Sequence, residues 1–329
     1  MPTIRDVAKE AGVSEGTVSN VFNGRPYVTE NTREKVLTAA KRVGYHRNSL
    51  AQALRLGKRN VIGLCLRDIG NPTFASIVLG IEAVARQRNF QVILGNSGGS
   101  AKTESEYLEE FVSHQVAGII TAPVMETSDL YKSIRDAGIP LVFINERPAD
   151  VPGDLVKHDY ARGTCQAAEH LLRSGHTEIG IVYGPAYAAP GIEQQLAFRG
   201  CLQSFGVKLR PELEAFSTFG IDGAQAAARE LLSRASPPTA LIGSTLAVTL
   251  GCLRAIAETR SGVEFVGTGD DKWLGMFPDL TIVRQDPEAV GRSAVARLFS
   301  RIDNPSEVRE SQEIVLPVEL MRADRKGAA

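Results

Sequence analysis

Residues 3–55 read TIRDVAKEAGVSEGTVSNVFNGRPYVTENTREKVLTAAKRVGYHRNSLAQALR, and the spacing of apolar residues here decides the N-terminal fold. Ile4, Val7, Ala8 and Ala11 recur three and four apart, as one face of a helix requires, with Thr3 placed as its cap. Val13, Val18, Val21 and Phe22 give a second such face. Between them Gly12 supplies a left-handed turn, and Ser14 is placed to accept the Thr17 backbone N–H. Helix, four-residue turn, helix is the unit that reads DNA. A third helix is predicted from about Glu30 to Val43, with Val36, Leu37 and Ala40 closing a small core and Gly44 ending it. Asn48 to Arg55 predicts one more short helix, capped by Asn48; about two turns are marginal in water, so it folds only when docked.

Charge supports a polyanion bound at this end. The net charge of −1 over 329 residues hides +6 on residues 1–60 and −7 on the remainder. The length exceeds one core, and 43% hydrophobic with 23% charged residues is ordinary for a globular chain. Cys65, Cys165, Cys201 and Cys252 are far apart without a C-x-x-C pair, which predicts neither a zinc site nor a disulfide framework and fits a reducing compartment. The start has no signal-peptide core and no apolar run is long enough to span a bilayer, so a cytoplasmic protein with no membrane partner is expected.

From Val61 the pattern changes to short apolar strands, VIGLCL, FQVILGN, AGIIT and PLVFI, separated by helices near 74–88, 102–115 and 127–137. After HDYARG the series restarts: a helix near 161–174, EIGIVY, helices near 193–205 and 222–234, then TALIGS and EFVGTG. Such runs call for parallel sheets covered on both faces, in two consecutive lobes. A doubly wound sheet also hosts enzymes, but the chain has no phosphate loop, no G-x-S-x-G elbow and no dinucleotide glycine pattern. The histidines are scattered, so no catalytic residue, metal or cofactor is assigned; a catalytic or small-molecule-binding α/β protein with incidental DNA binding is the alternative.

The DVA, AGVS, TVS, VFN, TREKV and GY elements stand in the order and spacing of the LacI/GalR family of bacterial transcription repressors, and the resemblance continues along nearly the whole chain. It implies a helix-turn-helix headpiece at 1–46, a hinge helix and linker at 47–60, and a periplasmic-binding-protein-like effector and dimerisation domain at 61–329. Lobe one would hold about 61–158 and 287–317, and lobe two about 159–286 with the C-terminal strand. The second helix would enter the major groove, where Glu15, Gly16 and Asn20 take the base-reading positions. Asn20 suits adenine; Glu15 departs from the family's pattern and Gly16 offers no side chain. Thr3, Ser14, Thr17, Ser19, Asn23, Thr29, Thr32 and Tyr45 correspond to positions that hold phosphates. Leu54 would wedge into the minor groove beside Arg55, with Ala51 letting two hinge helices approach, which implies a homodimer on a pseudo-palindromic operator in double-stranded DNA.

By the same resemblance a small-molecule effector lies between the lobes, at the carboxyl ends of the strands. Thr73, Phe74 and Phe219 would form its walls; Asn145 stands where many members carry Asp, Gln194 where they carry Arg, and Thr245 where they carry Asn. Asp270 remains acidic and Gln285 polar, and Trp273 is either a pocket wall or plain packing. Charged clamps replaced by amides and hydroxyls predict a neutral carbohydrate or related polyol.

Overall fold

The computed structural model describes residues 2–22, 25–45, 60–124, 128–186, 188–218, 220–270, 272, 277, 279–305 and 310–322. The chain forms two compact units, Met1–Arg59 and Asn60–Ala329.

In the first unit, α1 (Ile4–Ala11), α2 (Glu15–Phe22) and α3 (Glu30–Val43) enclose a core of Val7, Ala8, Val18, Val21, Val36, Ala39 and Ala40. The Thr3 hydroxyl and the Asp6 carboxylate cap α1 reciprocally, and Gly12 ends it in the left-handed region at φ 66°. Leu37 corrects the expected core: it is 43% exposed. Residues 36, 39, 40 and 43 share one helical face, from which residue 37 is turned by about a quarter of a turn. The hinge residues Asn48, Ala51, Leu54 and Arg55 lie outside the described residues, as do Asn23, Phe219 and Trp273.

The second unit contains two six-stranded sheets among its described residues. The first sheet starts with β1 (Val61–Leu66), α4 (Pro72–Gln87), β2 (Gln91–Asn96), α5 (Ala101–Ser113), β3 (Gly118–Thr121), α6 (Ser128–Asp136), β4 (Leu141–Ile144) and β5 (Asp154–His158). The second takes α7 (Tyr160–Arg173), β6 (Ile179–Tyr183), α8 (Ala189–Ser204), β7 (Glu214–Phe216), α9 (Gly220–Leu232), β8 (Ala240–Gly243), α10 (Leu246–Thr259), β9 (Glu264–Gly269) and β10 (Thr281–Arg284). The chain then returns to the first through α11 (Pro287–Asp303) and β11 (Glu313–Leu316), and crosses once more to β12 (Glu319–Met321). The orders are β11-β5-β4-β3-β1-β2 and β12-β10-β9-β8-β6-β7; only the β10–β12 pair is antiparallel.

Strand β1 shows why its sequence is apolar throughout. Ile62, Leu64 and Leu66 face Ile77, Ile81, Val290 and Leu298, while Cys65 faces Phe111, Tyr131 and Phe143 on the opposite side. With both faces buried, alternation disappears. In the second sheet Ile179, Ile181 and Tyr183 pack with Leu171 and Phe198, and Val182 and Leu241 with Ala228, Leu231 and Cys252.

Candidate functional site

The head residues singled out from sequence are mostly caps and short side chains. Ser14 Oγ accepts the Thr17 N–H at 3.1 Å, and its oxygen lies 2.9 Å from Thr17 Oγ1. Thr29 caps α3, accepting from Thr32 N at 3.4 Å. Glu15 and Gly16 are exposed at the start of α2, whereas Thr17, Ser19 and Asn20 are half-buried. A Cβ at Gly16 would meet only Ser14 Oγ, at 3.7 Å, so packing does not demand glycine there. Tyr45 stacks at a tilt on Phe22 with ring centres 5.7 Å apart. Two neighbours were not singled out from sequence: Arg5 Nε lies 3.7 Å from Glu15 Oε1, and the Tyr27 hydroxyl donates to Asn20 Oδ1 at 3.3 Å. Both join residues at least seven positions apart that do not share a helix, a pairing that periodicity does not reveal.

In the second unit the carboxyl ends of strands from both sheets converge. Arg67 follows β1, Asn145 follows β4, Gly184 follows β6, and Gln285 follows β10. They line a cavity of about 120 Å³ with Thr73 and Phe74 from the start of α4, Tyr160 from α7, Gln194 from α8, Ser217, and Thr245 from the start of α10. Phe74 is 8% exposed. Asn145 adopts φ 67°, a left-handed conformation that Asn tolerates. Thr245 also serves as a cap, accepting from Val248 N at 3.3 Å. Burial pushes the ionisation of the Tyr160 hydroxyl up, so it stays a neutral donor and acceptor.

Gln194 is 2% exposed. Its Nε2 donates to the Ser244 carbonyl at 2.8 Å, while Oε1 has no hydrogen-bond partner among the described residues. A stranded buried acceptor costs roughly 1–3 kcal/mol. Asp270 lies apart from this group. It is buried in an adjoining cavity of about 440 Å³, where Ser76 Oγ donates to it at 3.2 Å, and Gln285 lines both spaces.

Arg67, which sequence reading did not single out, adds a cation to the lining of the smaller cavity and is 6% exposed. Its Nε donates to the Pro123 carbonyl at 2.7 Å and its Nη2 to Glu146 Oε1. Glu146 Oε2 accepts the Ala189 N–H at 2.9 Å, so one carboxylate joins a first-lobe cation to the first residue of α8. Lys157 makes a second bridge, 2.9 Å to Glu193 on α8 and 3.2 Å to Glu313 on β11. Burial would pull the Lys157 ammonium down, but hydrogen bonds to Glu193 and Glu313 hold it above its ordinary value. Among the described residues no cluster of His, Cys, Asp and Glu is placed to hold a metal ion, and no helix is long and apolar enough to cross a membrane.

A helix-turn-helix unit followed in the chain by a unit of two α/β lobes with a polar cleft cavity defines a DNA-binding regulator of the ligand-controlled kind. Residues 3–48 match the bacterial regulatory proteins of the lacI family, and residues 59–321 match the periplasmic binding proteins and sugar binding domain of the LacI family. The chain belongs to the LacI family: it is a DNA-binding repressor with a sugar-binding type of effector domain. It is 31% identical to the HTH-type transcriptional regulator CelR of Thermobifida fusca, over 97% of each chain. It is 29% identical to the ribose operon repressor of Escherichia coli K12, over 93% of this chain and 94% of that one. Its fold matches the lac repressor dimer bound to operator and the anti-inducer ONPF with a TM-score of 0.84, at 25% identity over 98% of both chains. It also matches the CelR–cellobiose complex with a TM-score of 0.69, at 30% identity over 98% of both. These relatives are transcriptional regulators, not enzymes, which removes the catalytic alternative.

Proposed function

We propose that this chain acts in the bacterial cytoplasm as a homodimeric repressor, held on a pseudo-palindromic operator until a neutral carbohydrate or related polyol enters the cleft. The division of labour is headpiece 1–46, hinge 47–60 and effector domain 61–329. Glu15, Gly16 and Asn20 face base edges, and Thr3, Ser14, Thr17, Ser19, Asn23, Thr29, Thr32 and Tyr45 hold phosphates. Asn48 starts the hinge, and Ala51, Leu54 and Arg55 meet their twins in the minor groove.

The observation that carries the effector reading is the unpartnered Oε1 of Gln194, buried at the cavity that Asn145, Thr245, Tyr160 and Gln285 also line. A sugar hydroxyl supplies the donor it lacks, and Phe74 offers an apolar wall. The CelR–cellobiose complex supports the same ligand class. Asp270 grips the ligand's far end through the adjoining space, beside Gln285.

Thermal-shift screening of the full chain against neutral sugars and polyols tests this, because a ligand of the native state raises its melting temperature. The hit must also change affinity for an operator selected from random duplex DNA, and DNA must change sugar affinity by the same factor. Absence of any stabilising sugar at millimolar concentration overturns the effector class; absence of a selected sequence overturns the operator.

A further inference from the structure

We infer that Glu146 sets the charge class of the effector, by neutralising Arg67 at the wall of the cleft cavity and so restricting that cavity to uncharged ligands. The inference rests on the carbohydrate reading and adds the charge that the carbohydrate must carry.

Arg67 is buried where a ligand would lie, and a guanidinium keeps its proton in any protein environment. A second positive feature stands beside it, the N-terminus of α8. Its N-cap residue is Ala188, whose side chain supplies no cap. A cavity with these two features alone would be an anion site, suited to a carboxylate that accepts from a guanidinium and a helix N–H together. The chain fills that role itself. Glu146 is 3% exposed, gives one oxygen to Arg67 and the other to Ala189 N, and does not line the cavity. An entering carboxylate therefore finds the helix N–H already taken, the guanidinium already paired and a buried negative charge behind them. A neutral polyol meets no such penalty, since it needs only the amides and hydroxyls.

The test compares each neutral sugar with its own acid: glucose with glucuronate, galactose with galacturonate. Full-length wild type, Glu146→Gln, Arg67→Gln and the double variant are titrated by calorimetry or thermal shift. Wild type should bind a neutral sugar more tightly than its acid. Glu146→Gln keeps the shape but uncovers the Arg67 charge, so the neutral-to-acid preference should move toward the acid by about tenfold or more. The double variant should lose that gain. Arg67→Gln alone, which leaves a negative cleft, should sharpen the discrimination against acids and supplies an answer if Glu146→Gln does not fold.

The inference is overturned if wild type prefers acids, if Glu146→Gln leaves the preference unchanged, or if the double variant keeps the gain. Wild type answering to no sugar while Glu146→Gln answers to acids would overturn the carbohydrate reading and support the charge gate. Silence of every variant toward every compound would overturn both.

Discussion

Gly80 on α4 and Gly291 on α11 lie at a helix crossing so close that neither position has room for a side chain against the other helix's backbone. A Cβ at Gly80 would sit 2.2 Å from the Glu288 carbonyl oxygen, and one at Gly291 would sit 2.2 Å from that of Ile77. Both obstacles are backbone, which cannot rotate away. Gly291→Ala should therefore cost about 2–3 kcal/mol or more by overpacking, read as a lower urea midpoint with an unchanged slope. Gly200→Ala, where a Cβ meets nothing within 4 Å, is the matched control and should leave stability within about 1 kcal/mol.

Gln194→Met should separate stability from sensing. The substitution removes the donor to the Ser244 carbonyl but also the stranded Oε1, so stability should change by no more than about 1 kcal/mol. The melting-temperature response to the effector should disappear while operator affinity without effector stays at the wild-type value. A normal effector response in this variant would remove Gln194 from the site.

Asp154 is 1% exposed and accepts from Arg297 Nε and Arg301 Nε, both at 2.8 Å, and from Gln312 N at 2.8 Å. Burial pushes its carboxyl up, yet the hydrogen bonds from Arg301, Arg297 and Gln312 hold it below the ordinary value. Asp154→Asn strands two cations and should destabilise by about 3–5 kcal/mol at pH 7. A carboxyl lowered in the native state stabilises above its unfolded value and loses that contribution as pH falls through its folded value. Denaturation at pH 7 and pH 3 should thus show the gap between wild type and variant narrowing in acid.

His158 ends β5, and its Nε2 accepts the Asp286 N–H at 3.1 Å. Burial lowers its pKa from 6.5 to about 4. The unfolded chain binds this proton first, so stability should fall as pH drops from 6.5 toward 4, by up to about 3 kcal/mol. His158→Gln should flatten urea-midpoint profiles across that window. Equal slopes in both proteins would mean that the imidazole is not kept neutral by the fold.

On the DNA side, Asn20→Ala should relax base preference at one symmetric pair of operator positions, by about 1–3 kcal/mol against the wild-type base. Thr32→Val should instead weaken all sequences alike. Binding measured on single-base operator variants at fixed salt distinguishes the two, and a uniform loss for Asn20→Ala would assign it to the phosphates.

The head and the alternation of strands and helices were legible because both rest on local spacing. Thr3, Gly12, Ser14 and Gly44 occupy the caps and turns their chemistry suggests. Helix α10 escaped because Leu246, Ala247, Val248, Thr249, Gly251 and Cys252 are all buried, leaving its first two turns no polar stripe to mark a period. Strands β7 and β10 are three or four residues long, too short for a pattern of their own, and the three-residue β12 was expected only through family position, as the C-terminal strand of lobe two. In the cleft, Asn145, Gln194 and Thr245 were legible through family position, whereas Arg67 and Glu146 were not. They stand 79 positions apart in no motif, and only the folding of β1 beside β3 and β4 brings their side chains together.

The first-lobe sheet carries a consequence for biosynthesis. Strand β5 is flanked by β4 on one side and by β11 on the other, so Leu155–His158 pair with Glu313–Leu316. A ribosome must therefore translate every second-lobe element except β12 before the first lobe can be finished. Until then the nascent chain carries an open strand edge and the bare apolar bed that α11 will cover, a surface for chaperones to shield.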